Sequence, residues 1–148
     1  MDHYMPTVKI IMLVLASMML GACTSDAQIE PKKVNIEQLQ YNWELTHIDN
    51  IKLATVIKSS LKIEADNKAT GNLGCNLFFG QVEFTNNQLR IGKMGNTRKM
   101  CSDIENNVEM DVSQVLNRWG NVMIDNETLI ISNQKHSLTY QLIAKTVK

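Results

Sequence analysis

Gln81-Val82-Glu83-Phe84-Thr85-Asn86-Asn87-Gln88-Leu89-Arg90-Ile91 is the stretch that decides the fold. Apolar and polar residues alternate on both sides of Asn86-Asn87, as in two half-buried strands. Asparagine tolerates the positive φ that a two-residue hairpin turn demands. With that turn, Phe84 faces Leu89 and Val82 faces Ile91 on one side. On the other side Glu83 meets Arg90 as a cross-strand charge pair. Slipping by one residue breaks both patterns, so the register is specified along with the hairpin.

Similar patterns extend in both directions. Tyr41 to Ile48 alternates with Trp43 and Leu45 on one face, and Leu61 to Ala65 alternates before the turn signal Asp66-Asn67. Downstream, Ser102-Asp103-Ile104-Glu105 has the form of a capping box. Ile104, Val108, Val112, Val115, Leu116 and Trp119 then recur at helical spacing, and Gly120 is placed to stop the helix. Asp103 and Glu105 suit the positive end of its dipole. Short strands follow at Val122 to Ile124, Thr128 to Ile131 and Ser137 to Ile143, with turns at Asp125-Asn126 and Asn133-Gln134-Lys135. Leu138, Tyr140 and Leu142 share one face of the last strand. The expected fold class is α+β: an antiparallel, curled, barrel-like sheet of about six to eight strands packed around one main helix at about 102–119.

The N-terminus reads differently. Lys9 gives a weakly positive start, diluted by Asp2 and His3. The apolar run Ile10 to Leu20 is too short for the roughly 20-residue helix that spans a membrane, but it fits a secretory signal. It ends in Leu20-Gly21-Ala22-Cys23, which resembles the lipobox of bacterial lipoproteins. Small residues let an extended chain enter a peptidase cleft, and the Cys23 thiol would carry the lipid. The alternative is an ordinary signal peptide with a chance cysteine. Thr24 and Ser25 follow, with no acidic residue, which by enterobacterial sorting rules points to the periplasmic face of the outer membrane. The expected organisation is a signal peptide at 1–22, a polar tether at 23–39 and one domain at 40–148.

The 148-residue chain carries 15 Lys and Arg against 15 Asp and Glu, so it is formally neutral. That balance argues against nucleic acid as a partner. The expected partners are the membrane, through the N-terminal lipid, and a protein or acyl chain in the envelope; the domain is expected to be monomeric. With Cys23 assigned to lipid, Cys75 and Cys101 remain. In an oxidising compartment an even pair reads first as a disulfide, closing a loop with about 3–4 kcal/mol of chain-entropy stabilisation. Two buried free thiols are the alternative. Two cysteines without a neighbouring histidine do not complete a tetrahedral metal site.

Trp43-x-Leu45, Gly71-Asn72-Leu73-Gly74-Cys75-Asn76 with Phe79-Gly80, and Asn96-Thr97-Arg98-Lys99-Met100-Cys101 resemble the META domain of the bacterial HslJ-type heat-shock lipoproteins. The resemblance spans about Gln40 to Ile143; Lys99 stands where the family usually has a small residue. It implies a conical, barrel-like sheet with a helix, no established enzymatic activity, and a link to heat shock and novobiocin resistance. It also implies a likeness to a lipid-binding pilotin of secretion systems. Trp43, Gly71, Gly74, Asn76, Gly80, Thr97 and Met100 are then structural motif positions.

No other pattern points to chemistry. The glycine run lacks the Gly-Lys-Ser/Thr ending of a phosphate loop, and tight turns or close backbone approach around the cysteines explain it better. Asn76 is expected to bond backbone in that turn. His47 and His136 lack a histidine at ligand spacing, and there is no Gly-x-Ser-x-Gly elbow. Glu105 and Glu109 read as a solvated helix face. Arg90, Lys93, Arg98 and Lys99 read as surface charge, with lipid head groups as the alternative. Met94, Met100, Met110 and Met123 read as core filler. The sequence thus points to a protein without catalytic residues, cofactor or metal that works by binding. The alternative is a pilotin-like chaperone holding an acyl chain or helix. An interior filled by Phe84, Leu89, Trp119 and Leu142 would count against that carrier.

Overall fold

The computed structural model describes residues 32–143; Cys23 and the proposed signal peptide lie outside them. Nine strands form one antiparallel sheet: β1 Asn42–Ile48, β2 Ile51–Lys52, β3 Ser60–Ile63, β4 Lys68–Asn72, β5 Leu77–Thr85, β6 Gln88–Asn96, β7 Gly120–Asp125, β8 Thr128–Ser132 and β9 Ser137–Leu142. Helix α1, Asp103–Leu116, lies between β6 and β7. β1 also pairs with β9, closing eight strands into a ring, while β2 attaches to β1 alone. The sheet is thus a barrel with one helix. Its strand count exceeds the expected range because β2 folds back beside β1, where β3 has already turned away.

The β5–β6 hairpin has the anticipated register, pairing Val82 with Ile91, Glu83 with Arg90 and Phe84 with Leu89. Asn86 and Asn87 both take positive φ, at 49° and 58°. Farther along, β6 carries an extra residue between the Phe79 and Gln81 pairings, with Lys93 at φ 52°. Such a bulge bends the strand and sharpens its twist, which helps a sheet close.

The barrel interior is filled. Trp43, Leu61, Ile63, Leu89, Ile91, Leu129, Ile131, Leu138 and Tyr140 are almost wholly shielded from solvent. Of the four residues expected to fill the interior, only Leu89 is fully buried. Phe84 and Leu142 are partly buried, and Trp119 remains 38% exposed.

α1 starts as expected, with Ser102 accepting from the Glu105 amide and Glu105 bonding back to Ser102. It ends earlier than expected, at Leu116 with Asn117 as its C-cap, and Gly120 opens β7 instead of stopping the helix. Trp119 continues the helical period in sequence only. Ile104 also leaves the core, at 65% exposure, so the buried stripe is Val108, Val112, Val115 and Leu116. The helix runs across one mouth of the barrel, from the 73–76 loop to the 133–136 loop. At one side Glu109 bonds Asn76; at the other the Gln114 carbonyl accepts from Asn133.

The opposite mouth is covered by a segment assigned to the tether. Val34 and Leu39 are buried, and Ile36–Gln38 forms a short 3-10 turn. The Val34 amide donates to Asn87, and the Trp43 indole N–H donates to the Leu39 carbonyl. Packing therefore begins before Gln40. Among the described residues, no helix is long and apolar enough to cross a membrane.

Candidate functional site

The family-like motifs meet where β4, β5, β6 and the start of α1 converge. Cys75 and Cys101 are joined in a disulfide with Cα atoms 5.9 Å apart. Next to it, Asn76 is only 6% exposed, so its amide needs partners within the protein. Its Nδ2 donates to Glu109 Oε2 at 2.9 Å, and its Oδ1 accepts from the Thr97 hydroxyl at 2.9 Å and the Lys99 amide at 2.7 Å. Glu109 Oε2 also accepts from the Asn76 backbone amide, and its other oxygen accepts from Asn96. Thr97 in turn accepts from the Leu77 amide. Two tethers, the disulfide and Asn76, thus hold the 97–101 segment against the 73–76 loop.

The glycines serve this geometry by different means. Gly74 has φ 126°, and a Cβ there would lie 2.7 Å from Val108 Cγ1, so the helix seats directly on its backbone. Gly71 lies within β4, where a Cβ would strike the Ser60 carbonyl oxygen and, at 2.8 Å, the Phe78 ring. Gly80 likewise lies within β5, so neither sits in a tight turn; close approach explains both, since a Cβ on Gly80 would strike Ile91 Cγ2 and lie 3.0 Å from the Gly92 carbonyl oxygen.

A model of the META domain matches residues 35–145. The chain belongs to the META domain family. It is 28% identical over 137 residues to heat shock protein HslJ of Escherichia coli (strain K12), covering 90% of this chain and 95% of the relative. Two NMR structures share the fold. One aligns at TM-score 0.66 with 24% identity, covering 74% of this chain and 96% of its own. The other, of a protein from Burkholderia xenovorans, aligns at 0.62 with 18% identity, covering 79% and 94%.

Several residues of this META domain fall elsewhere than the sequence suggested. Glu109 is not a solvated helix residue but the anchor of Asn76, which bonds a hydroxyl and a carboxylate as well as backbone. Among the methionines of the described residues, Met100, Met110 and Met123 are exposed, Met100 completely, and only Met94 packs partly against the core. Met100 thus directs its side chain to solvent although its neighbour Cys101 is held in the disulfide. Arg90 bonds Glu83 twice, at 2.7 and 2.9 Å, and its guanidinium stands 4.9 Å over the Trp119 ring.

The histidines part company. His47 contacts the Thr46 hydroxyl. His136 lies between two carboxylates, with Nδ1 2.7 Å from Asp49 and Nε2 3.5 Å from Asp111 on α1. The His136 hydrogen bond, then the Ser137 amide, hold the Asp49 carboxyl below its ordinary range. Among the described residues, no group of three or more His, Cys, Asp or Glu is arranged to hold a metal ion. The Tyr140 hydroxyl is buried with no hydrogen-bond partner among the described residues, and burial pushes its phenol pKa up.

Proposed function

We propose that this META domain protein is anchored through Cys23 to the periplasmic face of the outer membrane and acts there as a non-enzymatic, monomeric factor in tolerance of envelope stress. The observation that carries the compartment is Leu20-Gly21-Ala22-Cys23 directly after an eleven-residue apolar run from Ile10 to Leu20. The similarity to a heat shock protein supports the stress role. Action by binding fits a domain whose motif polar groups are satisfied by one another, with no base, nucleophile and open substrate position assembled among them.

The alternative, a pilotin-like carrier of an acyl chain or helix, is disfavoured by an interior already filled with side chains and covered at both mouths. Recognition on the outer surface fits better.

Fractionation and survival test the proposal together. Cys23→Ser should move the full chain from the membrane to the soluble periplasmic fraction, and only the anchored form should restore growth of a deletion strain under heat or novobiocin. A Cys23→Ser variant that stays on the membrane overturns the anchor; a deletion strain that tolerates both stresses like its parent overturns the stress role.

A further inference from the structure

Beside the junction of α1 and β7 lies a cleft of about 410 Å³, within the size range of small-ligand sites. Arg118 and Trp119, the paired strand residues Gln88, Asn121 and Ser132, and the 133–135 turn with Gln134 and Lys135 line it. The lining contains two cations and no carboxylate. Among the described residues, the Arg118 side chain has no ion pair or hydrogen bond. Lys135 Nζ donates only to the neutral Gln114 amide oxygen at 3.1 Å, which leaves its charge unmatched.

Trp119 is held in place on this wall. Arg90 stands over its ring and is itself fixed by Glu83, so the indole is a positioned surface rather than a loose side chain. Gln88 donates to Asn121 at 3.1 Å, orienting two amides that keep further donor and acceptor capacity. Each component meets a different part of one kind of molecule. An indole packs against the C–H face of a sugar ring, amides bond hydroxyls, and a guanidinium takes a carboxylate or phosphate. A bare inorganic anion would use the cations and the amide N–H donors but leave the indole without a partner.

We propose that this cleft binds an acidic saccharide: a sugar bearing a carboxylate or phosphate, with Arg118 and Lys135 on the acid group, Trp119 on the ring, and Gln88, Asn121 and Gln134 on hydroxyls. The proposal deepens the binding role above and rests on it.

Tryptophan fluorescence of the full chain tests it, because Trp43 is buried with its N–H engaged and Trp119 alone lines the cleft. Glucuronate and glucose 6-phosphate are the acidic probes, and glucose and inorganic phosphate are the controls. Both acidic sugars should perturb the emission saturably, at least about tenfold more tightly than either control. Arg118→Gln should weaken the acidic sugars about tenfold and leave glucose unchanged. Trp119→Leu, followed by calorimetry, should weaken every sugar. Response to only one acidic probe would still support the site and identify the acid group as carboxylate or phosphate. No saturation by either acidic sugar up to about 50 mM, phosphate binding as tight as the sugars, or an Arg118→Gln variant that binds like the parent would overturn it. The fractionation and survival tests do not involve the cleft, so success there with failure here would remove this site and leave the anchored stress role standing.

Discussion

Replacing Asn76 with alanine should destabilise the domain by about 2–4 kcal/mol. The side chain makes three strong hydrogen bonds: one to the Glu109 carboxylate and two from the Thr97 hydroxyl and the Lys99 amide. A bond to a charged group contributes about 1.5–3 kcal/mol and each neutral one about 0.5–1.5. Glu109 is only partly buried and Thr97 is exposed, so solvent recovers part of that sum in the variant, which sets the lower range. For a domain of this size the loss corresponds to a fall in Tm of about 10–20 °C. Urea unfolding at pH 7, followed by far-UV circular dichroism, measures it. Asn76→Asp supplies the control: it keeps acceptors for Thr97 and Lys99 but sets a carboxylate against Glu109. It should be at least as unstable as alanine at neutral pH and recover toward pH 4, where one of the two acids takes a proton. A cost below about 1 kcal/mol for Asn76→Ala, or an aspartate variant without pH dependence, would refute the claim that this network holds the 97–101 segment.

Two other sites give distinct signatures. Tyr140→Phe removes a buried hydroxyl that has no partner among the described residues, so it should stabilise the fold by about 1 kcal/mol; a loss of that size in urea unfolding would mean the hydroxyl is bonded. Because burial raises the Tyr140 pKa, ionisation of the phenol opposes folding: stability is unaffected below the free phenol value of about 10 and falls as pH rises further, so the parent should weaken in alkali more than the phenylalanine variant. Asp49 has the opposite sign: its depressed pKa gives stability that is present above about pH 4 and lost as pH falls through the folded value. Asp49→Asn should therefore show a smaller fall in urea midpoint between pH 6 and pH 3 than the parent; equal falls would show that the His136 contact contributes nothing.

How much of the structure is legible in the sequence follows the range of the interactions involved. The central hairpin is readable because its turn, apolar face and charge pair each specify the same register. The start of α1 is readable because a capping box lies within four residues. Its end is not, since Trp119 keeps the helical period after the backbone has left the helix. β4 leaves no signal because its inward positions, Ala69 and Gly71, are small and carry no hydrophobic alternation; at Gly71 the close approach of Ser60 and Phe78 requires it. At the site, the cysteines identify themselves by number and by the compartment that the lipobox-like stretch implies. Glu109 does not, because its partner Asn76 is 33 positions away and such a bond leaves no local pattern.

The pairing of β1 with β9 has a consequence for synthesis. A chain is made from its N-terminus, and β3 through β6 can align with near neighbours as they emerge. β1 must instead wait for the last strand, with Thr46 reaching Thr139 across 93 positions. Until then one flank of β1 offers unpaired amides and carbonyls, open to joining another chain. Such long-range closure belongs to slow-folding, high-contact-order topologies. Loss of β9 would therefore expose two strand edges at once, on β1 and β8, so the final residues of the ring guard the whole domain against aggregation.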